Sequence, residues 1–276
     1  MHTMMLKTAA LLFAVILLIS LPACSKKDNT GKPQGEYDQS GQYTPSVPDV
    51  SKAFEDARKQ NTDVVAWLQL PNTKIDEAVV QTTNNEFYLR RDVKKNYSYE
   101  GCYYMDYESV MFEGGKDLAR NTIIYGHNLG SPLGVKDDFN GVKFAQLLKL
   151  TDIELAKNTP YIYLTTESGN HIFEIFTVMY CEAVTKPVQY HYADYSDEQF
   201  NLLISDVKAR SLYQYDVNVT TEDKILTLST CTYKYGTYSQ NPHQRFVVMG
   251  RLVRKDEGYH ETAPLTVNEN PKAPSF

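Results

Sequence analysis

The sequence has few cysteines, one tryptophan and no excess of positive charge. Its 276 residues include four cysteines, and the formal net charge is −6. Four widely spaced cysteines are too few for the disulfide framework of an exported protein, and no C-x-x-C pair indicates a zinc site. The acidic balance and the lack of a nucleic-acid-binding motif exclude nucleic acid as a partner.

The rest of the composition is that of an ordinary globular protein. Apolar residues make up 42% of the chain and charged residues 22%. This composition and length allow one large domain or two small ones. No internal repeat is evident in the sequence.

The N-terminus has the layout of a secretory signal. Lys7 precedes an apolar run that ends at Cys24, and Lys26 and Lys27 follow it. A run of about 17 residues fits both a cleaved signal and an uncleaved membrane anchor. The segment ending in Leu-Pro-Ala-Cys24 is similar to a lipobox with an atypical proline, so Cys24 is a candidate lipidation site. Either alternative predicts a chain tethered to the outer face of a membrane.

Composition divides the chain into four parts. Residues 1–24 form the signal, lipobox or anchor. Residues 25–48 are polar and rich in Gly, Pro and Ser, which predicts a flexible linker. We expect one folded domain over residues 49–254, beginning with a short helix capped by Asp49 or Ser51. Residues 255–276 form a polar C-terminal tail.

Within the folded part, short alternating or apolar runs separated by turn residues predict a mainly β protein. About eight strands with few long helices are typical of a closed barrel or a sandwich. A short helix is predicted over 143–149, and Ser196 to Gln199 has the form of a capping box that opens a longer helix. The predicted strands are 66–70, 75–81, 101–107, 121–125, 159–165, 171–182, 224–231 and 245–253.

Two strand ends carry residues of chemical interest. The alternation in Thr227-Leu-Ser-Thr-Cys231 places the thiol at the end of its strand, and Arg245 begins the next strand. If the two strands are antiparallel neighbours, Cys231 and Arg245 share one end of the sheet. A guanidinium beside a thiol favours the thiolate and can donate hydrogen bonds to an oxyanion.

Of the six histidines, His127 is the best placed to serve as the proton donor of this site. It follows a strand closed by Gly126, so it also lies where a strand ends and a loop starts. Each residue alone also fits an ordinary structural role. Cys231 fits a buried strand cysteine, Arg245 a solvated charge and His127 a loop histidine.

The motifs around these residues resemble those of the sortase family, in particular class B sortases of Gram-positive bacteria. Thr227-Leu-Ser-Thr-Cys231 is similar to the TLxTC signature. Asn121-Thr-Ile-Ile-Tyr-Gly-His-Asn128 resembles the histidine segment, and Arg245-Phe-Val-Val resembles the arginine strand. Trp67 to Asp76 is similar to the early class B strands, and the helix from Ser196 precedes the cysteine strand. The resemblance covers residues 49–253.

This resemblance implies an eight-stranded β-barrel with N-terminal helices and a helix before the cysteine strand. It also implies a transpeptidase without cofactor, in which Cys231 is the nucleophile, His127 the acid and base, and Arg245 the oxyanion or substrate-orienting residue. The substrates would be surface proteins with C-terminal NPxTN-like or (S/P)PxTG-like sorting signals. The acceptor would be an amine of peptidoglycan or a pilin lysine.

The sequence departs from the family at one position near the cysteine. Some class B enzymes have an acidic residue two positions after the cysteine, where this chain has Tyr233, so no acidic third member is expected. Asn128, Thr230, Tyr233 and Tyr235 are secondary candidates for substrate binding. No clustered carboxylates of the kind that bind calcium are evident, so no metal is expected.

Two other classes of function remain open at this stage. A papain-like cysteine hydrolase would have its cysteine early, at the start of a helix, followed by histidine and asparagine. A non-catalytic, membrane-tethered surface binding protein would have an unreactive Cys231. The remaining cysteines, Cys102 and Cys181, are expected to be separate buried thiols rather than a disulfide.

Overall fold

The computed structural model describes residues 34–109, 118–130, 135–184 and 187–276. The predicted signal over 1–24, with Cys24, lies outside the described residues, as does the first part of the predicted linker. Within the described ranges, no helix combines the length and apolarity needed to cross a bilayer.

Fourteen strands and three α-helices make up the described fold. The helices are α1 (Ser51–Gln60), α2 (Ile153–Lys157) and α3 (Asp197–Arg210), and two 3₁₀ helices lie at Phe87–Arg90 and Phe144–Thr151. The strands are β1 (Gly35–Tyr37), β2 (Tyr43–Pro45), β3 (Val64–Leu70), β4 (Ile75–Val80), β5 (Tyr103–Met105), β6 (Asn121–Tyr125), β7 (Asn128–Leu129), β8 (Val142–Lys143), β9 (Tyr161–Thr166), β10 (Gly169–Glu182), β11 (Tyr213–Tyr215), β12 (Ile225–Cys231), β13 (Gln244–Leu252) and β14 (Leu265–Val267).

Eight of these strands close a barrel in the order β10, β13, β12, β6, β5, β4, β3, β9. They are the eight strands predicted from the alternating runs, so the barrel is confirmed and the sandwich is excluded. The pairs β4–β5 and β6–β12 are parallel, and the other neighbours are antiparallel. Because the barrel is closed, each of these eight strands pairs with a neighbour on both sides.

The cysteine strand β12 is buried on both faces. Leu226 and Leu228 join the main hydrophobic core. On the other face, the Thr227 hydroxyl donates to Asn121 (2.7 Å), and the Ser229 hydroxyl bonds with that of Tyr190 (2.9 Å). The polar alternation predicted for this strand is therefore satisfied by internal hydrogen bonds rather than by water, which fixes the strand's position.

Helix α3 begins with the predicted capping box. The Ser196 hydroxyl accepts from the Gln199 backbone N–H, and the Gln199 side chain accepts from the Ser196 N–H (2.9 Å). The predicted cap of α1 is wrong. Val50 occupies the cap position, and its apolar side chain has no acceptor. The Asp49 carboxylate accepts from the N–H of Ser51, the first residue of the helix.

Both flanking segments differ from the predicted linker and tail where the structure describes them. Strands β1 and β2 form a hairpin within 34–48, and Tyr43 is buried there. In the C-terminal segment, β14 pairs with β11, and the Lys272 N–H donates to the Ala209 carbonyl. Backbone pairing within the hairpin orders the first segment, and backbone pairing onto β11 and α3 orders the second, although few of their side chains are apolar.

Candidate active site

Cys231 and Arg245 lie side by side at one end of the barrel. Strands β12 and β13 are antiparallel, and Cys231 is paired directly with Arg245. The adjacency predicted from the sequence is therefore present. Paired residues on neighbouring strands project from the same face of the sheet. Both side chains are partly exposed.

The segment that bears His127 is bound to the end of the cysteine strand. Strand β6 runs parallel to β12, and the Gly126 N–H donates to the Ser229 carbonyl. The Thr230 hydroxyl donates to the Gly126 carbonyl (2.7 Å), and the Asn128 amide donates to the Cys231 carbonyl (3.0 Å). These bonds flank His127 on both sides, so its backbone lies beside the last residues of β12.

The hydrogen bond of His127 defines its tautomer. Its Nε2 lies 2.8 Å from the Leu89 carbonyl, an acceptor, so Nε2 carries the proton and the neutral ring has its lone pair on Nδ1. Burial lowers the pKa of His127 below its usual 6.5; the Leu89 carbonyl opposes this effect, and the cations Arg90 and Lys143 add to it. The imidazole is therefore neutral in the resting protein, with Nδ1 available to accept a proton.

Arg245 remains a cation and is held by backbone carbonyls. Its Nη1 donates to the carbonyls of Pro242 and Gln244, each at 2.9 Å. Burial opposes its charge, but the ionisable groups of Cys231, Tyr190, Cys181 and Tyr104 together outweigh burial and raise the pKa of Arg245. The guanidinium therefore supplies a fixed positive charge beside the thiol, with further donors on Nε and Nη2.

Cys102 and Cys181 differ from Cys231 in exposure. All three are free thiols, and Cys102 and Cys181 are buried. Burial raises the pKa of Cys102 to about 11 and that of Cys181 to about 12, so both are protonated at neutral pH. Cys181 pairs with Arg245 on the side away from Cys231, but it is fully buried. Cys231 is the partly exposed member of the three.

Comparisons with known proteins agree with this geometry. The sequence model of the sortase domain matches residues 68–253. The chain belongs to the sortase family. A Listeria monocytogenes protein named Sortase B is 31% identical over 207 residues, covering 75% of this chain and 76% of the relative. The Staphylococcus aureus Sortase B is 27% identical over 208 residues, covering 74% of this chain and 76% of the relative.

Solved structures share the fold of this sortase. The Staphylococcus aureus sortase B–substrate complex has a TM-score of 0.62 and 25% identity, covering 75% of this chain and 90% of that chain. Clostridium perfringens sortase B has a TM-score of 0.58 and 25% identity, covering 72% of this chain and 99% of that chain. The protein is a class B sortase, a cysteine transpeptidase that acts at the cell surface. The papain-like and non-catalytic alternatives are therefore excluded.

The secondary candidates of this sortase differ in exposure. Asn128 is 3% exposed and Thr230 is 2% exposed, and the side chains of both bind backbone carbonyls. Tyr233 is partly exposed and Tyr235 is 37% exposed. A cavity of about 500 Å³ lies beside the loop that follows Cys231 and is lined by both tyrosines and Tyr180. Two of the four are thus buried beside the strand ends, and two line an open cavity.

Sequence reasoning missed two groups near the cysteine of this sortase. Tyr104 comes from β5. Burial is the main cause that raises the pKa of its hydroxyl, and the charges of both Cys231 and Arg245 also affect that pKa. Asp137 comes from the segment between β7 and β8 and binds residues on both sides of the site. No periodicity or motif marks either residue, so the sequence offered no signal for them. Among the described residues, no group of three or more His, Cys, Asp or Glu could hold a metal ion.

Proposed function

We propose that Cys231 is the nucleophile of this sortase, His127 its acid and base, and Arg245 the residue that stabilises the oxyanion. The observation that carries the proposal is the direct pairing of Cys231 with Arg245, while bonds from Thr230 and Asn128 hold the histidine segment beside them. A nucleophile, a proton carrier and a fixed cation at one strand end are the groups that acyl transfer needs.

The first half of the reaction forms an acyl-enzyme. His127 takes the thiol proton on Nδ1, and the thiolate sulfur attacks the carbonyl carbon of the threonine in a sorting signal. Arg245 stabilises the negative oxygen that forms. The imidazolium then protonates the departing amine, the C–N bond breaks and a thioester remains on Cys231. The lowered pKa of His127 makes its imidazolium a strong acid for this step.

The second half transfers the acyl group to an amine. The acceptor nitrogen attacks the thioester carbon, His127 accepts the proton of that nitrogen, and the C–S bond breaks to release the thiolate. The proton that His127 holds then returns to the sulfur, so the enzyme is regenerated. The acceptor is an amine of peptidoglycan or a pilin lysine. A solved sortase B, 26% identical to this chain, is complexed with triglycine, which supports a peptide amine as acceptor.

The substrates are surface proteins with C-terminal NPxTN-like or (S/P)PxTG-like sorting signals. Tyr233 and Tyr235, in the loop after the cysteine, contact the bound signal. Asn128 and Thr230 are buried and act by binding the end of β12 to the segment that follows β6. The enzyme is tethered to the outer face of the membrane by its N-terminal segment or by a lipid on Cys24. The tether keeps the site where exported substrates and cell-wall amines meet.

A peptide-library assay tests this function. The full chain, in mild detergent, is incubated with a library of fluorogenic peptides that vary around NPxTN and (S/P)PxTG, with and without triglycine. We expect cleavage after threonine for one motif class and a transfer product that contains triglycine, with neither in Cys231→Ala. Cleavage that persists in Cys231→Ala, or no cleavage of any peptide by the wild-type protein, would contradict the proposal.

A further inference from the structure

One carboxylate joins the two segments that carry the site. Asp137 Oδ1 accepts from the side-chain amide of Asn128 (2.8 Å) and from the backbone N–H of Tyr233 (3.0 Å). Its Oδ2 accepts from the Thr232 hydroxyl (2.6 Å). Asn128 directly follows His127, and Thr232 directly follows Cys231. Asp137 therefore binds the residue next to the histidine in one segment and the residue next to the cysteine in the other.

The Asn128 amide completes this link to the cysteine. The same Nδ2 that donates to Asp137 also donates to the Cys231 carbonyl (3.0 Å). The carboxylate thus orients Asn128 toward the cysteine backbone and holds the first two residues of the following loop. The acidic residue that some relatives have two positions after the cysteine is absent here. At that position, the Tyr233 N–H points to a carboxylate from a different loop.

We propose that Asp137 is a positioning residue of this sortase: its carboxylate fastens the loop after Cys231 to the segment after His127 and thereby sets the sulfur against the imidazole. The proposal rests on the proposed roles of Cys231 and His127. In this role Asp137 takes no proton, although it also lines the cavity beside Tyr233 and Tyr235. It acts through Asn128, Thr232 and Tyr233.

Burial explains why losing this carboxylate would move the site. Asn128 is 3% exposed and Thr232 is 1% exposed, so water cannot readily replace the lost acceptor. Both residues would shift to find new partners. A displacement of about 1 Å in a catalytic group lowers a reaction rate by about 100-fold, so even a small shift of Cys231 relative to His127 would be detected.

The partners of Asp137 also predict which substitution preserves the arrangement. Two of the three are N–H donors and share Oδ1, while the third is the Thr232 hydroxyl on Oδ2. An asparagine can keep Oδ1 as the shared acceptor and donate its amide to the Thr232 hydroxyl, because a hydroxyl can also accept. Asp137→Asn therefore keeps the hydrogen-bond geometry and removes the charge, whereas Asp137→Ala removes both.

The experiment compares three variants of the full chain. They are Asp137→Ala, Asp137→Asn and the control Asp138→Ala, which removes the adjacent carboxylate, whose bond is to the Asn140 N–H within its own turn. For each we would measure kcat and KM for a cleaved sorting peptide, the rate at which a methanethiosulfonate reagent labels Cys231, and Tm. The reagent reacts with the thiolate and needs no proton delivered to a leaving amine, so its rate reports the access and ionisation of the sulfur, whereas peptide cleavage also needs the imidazole aligned with the substrate.

We expect Asp137→Ala to lower kcat by about 10- to 100-fold, with KM and the labelling rate each within about threefold of wild type. Asp137→Asn should restore kcat to within about threefold, and Asp138→Ala should match wild type. A wild-type kcat in Asp137→Ala overturns the proposal. An equal fall in kcat and in the labelling rate also overturns it, because that result indicates general disorder around Cys231. An Asp137→Asn variant as slow as Asp137→Ala overturns it as well, because that result indicates a role of the negative charge.

Hydrogen exchange separates this proposal from the proposed function. The Tyr233 amide should exchange slowly in wild type and in Asp137→Asn, and at least tenfold faster in Asp137→Ala. If wild type cleaves no peptide, the proposed function fails, and the exchange rates alone decide whether Asp137 holds the loop. Equal exchange of the Tyr233 amide in all variants would overturn the positioning role even in an active enzyme.

Discussion

At the scale of single residues, the site depends on what surrounds each ionisable group. Cys231 and Cys181 both pair with Arg245, yet one is partly exposed and the other fully buried. The convergence of Cys231, His127 and Arg245 was predictable because each lies at a strand end. Asp137 was not predictable, because one acid in a polar loop carries no periodicity and its partners come from two other segments.

The first prediction concerns the shape of the cation at position 245. Arg245→Lys keeps the charge but replaces a planar fork of donors by one ammonium, which cannot bind the backbone carbonyls and the oxyanion together. We expect kcat for peptide cleavage to fall by about 100-fold, the size of the loss of one oxyanion-hole donor. The matched control is Arg254→Lys, whose guanidinium binds Asp223 at the other end of the barrel. A loss under threefold in Arg245→Lys would contradict the assigned role.

The second prediction concerns the protonation of His127. Burial holds its pKa below 6.5 in the folded protein, so folding disfavours the imidazolium. The free energy of unfolding therefore falls as pH is lowered from about 6.5 toward the folded pKa of His127. Above about 6.5 the ring is neutral in both states, and this destabilisation is absent. NMR titration of the His127 ring should give a value below 6.5, and Arg90→Gln should raise it by removing a like charge. A His127 pKa above 6.5 would be inconsistent with a buried neutral ring.

At the scale of elements, the strongly patterned segments were predictable. All eight barrel strands and helix α3 follow from alternation, helical spacing and a capping box. The short strands β1, β2, β7, β8, β11 and β14 contain two or three residues each, too few to show a period; β5 is equally short, but it lies within a longer strand-like run over 101–107. Their pairing is decided by tertiary contacts. The start of α1 was predicted wrongly because two candidate capping residues flank Val50, and the structure uses neither as a cap.

The third prediction tests the capping box of α3. Ser196→Ala removes the acceptor for the Gln199 N–H and should lower the free energy of unfolding by about 1 kcal/mol. Ser196→Asn, which keeps an acceptor at the cap, should stay within about 0.5 kcal/mol of wild type. Urea unfolding measures both. Equal stability of wild type and Ser196→Ala would show that the helix is held by the packing of its apolar face alone.

At the scale of the whole molecule, the barrel separates two charged sites along one strand. Arg245 is the second residue of β13, at the active-site end, and Arg251 lies six residues later, about 20 Å along the strand. The alternation in the sequence groups both on one face of the strand. The structure buries Arg251 completely, with Glu174 on one side (2.8 Å) and Glu257 on the other (2.5 Å). Burial of a strand-end arginine depends on acids from β10 and from the C-terminal segment, which no local pattern shows.

The fourth prediction follows from that buried pair. Arg251→Met removes the buried guanidinium from Glu174, which is 4% exposed and keeps a bond to the His260 imidazole (2.7 Å) on its other oxygen, and should cost about 3 to 5 kcal/mol of unfolding free energy. The double variant with Glu174→Leu should recover part of this loss, because it removes the unpaired acid. At temperatures where the variants are folded, kcat should stay near wild type, since the cluster lies at the opposite end from Cys231. A single-variant cost below about 1 kcal/mol would show that the bond to His260 is enough to stabilise the buried Glu174.

The central claim is that acyl transfer passes through the sulfur of Cys231. The full chain is mixed with an excess of its cleaved sorting peptide without an acceptor amine, quenched in acid, digested and analysed by mass spectrometry. We expect the mass of the N-terminal peptide fragment on the segment that contains Cys231, with Cys102 and Cys181 unmodified, and loss of the adduct on addition of triglycine. Peptide cleavage with no adduct on Cys231, or an adduct on another residue, would contradict the account.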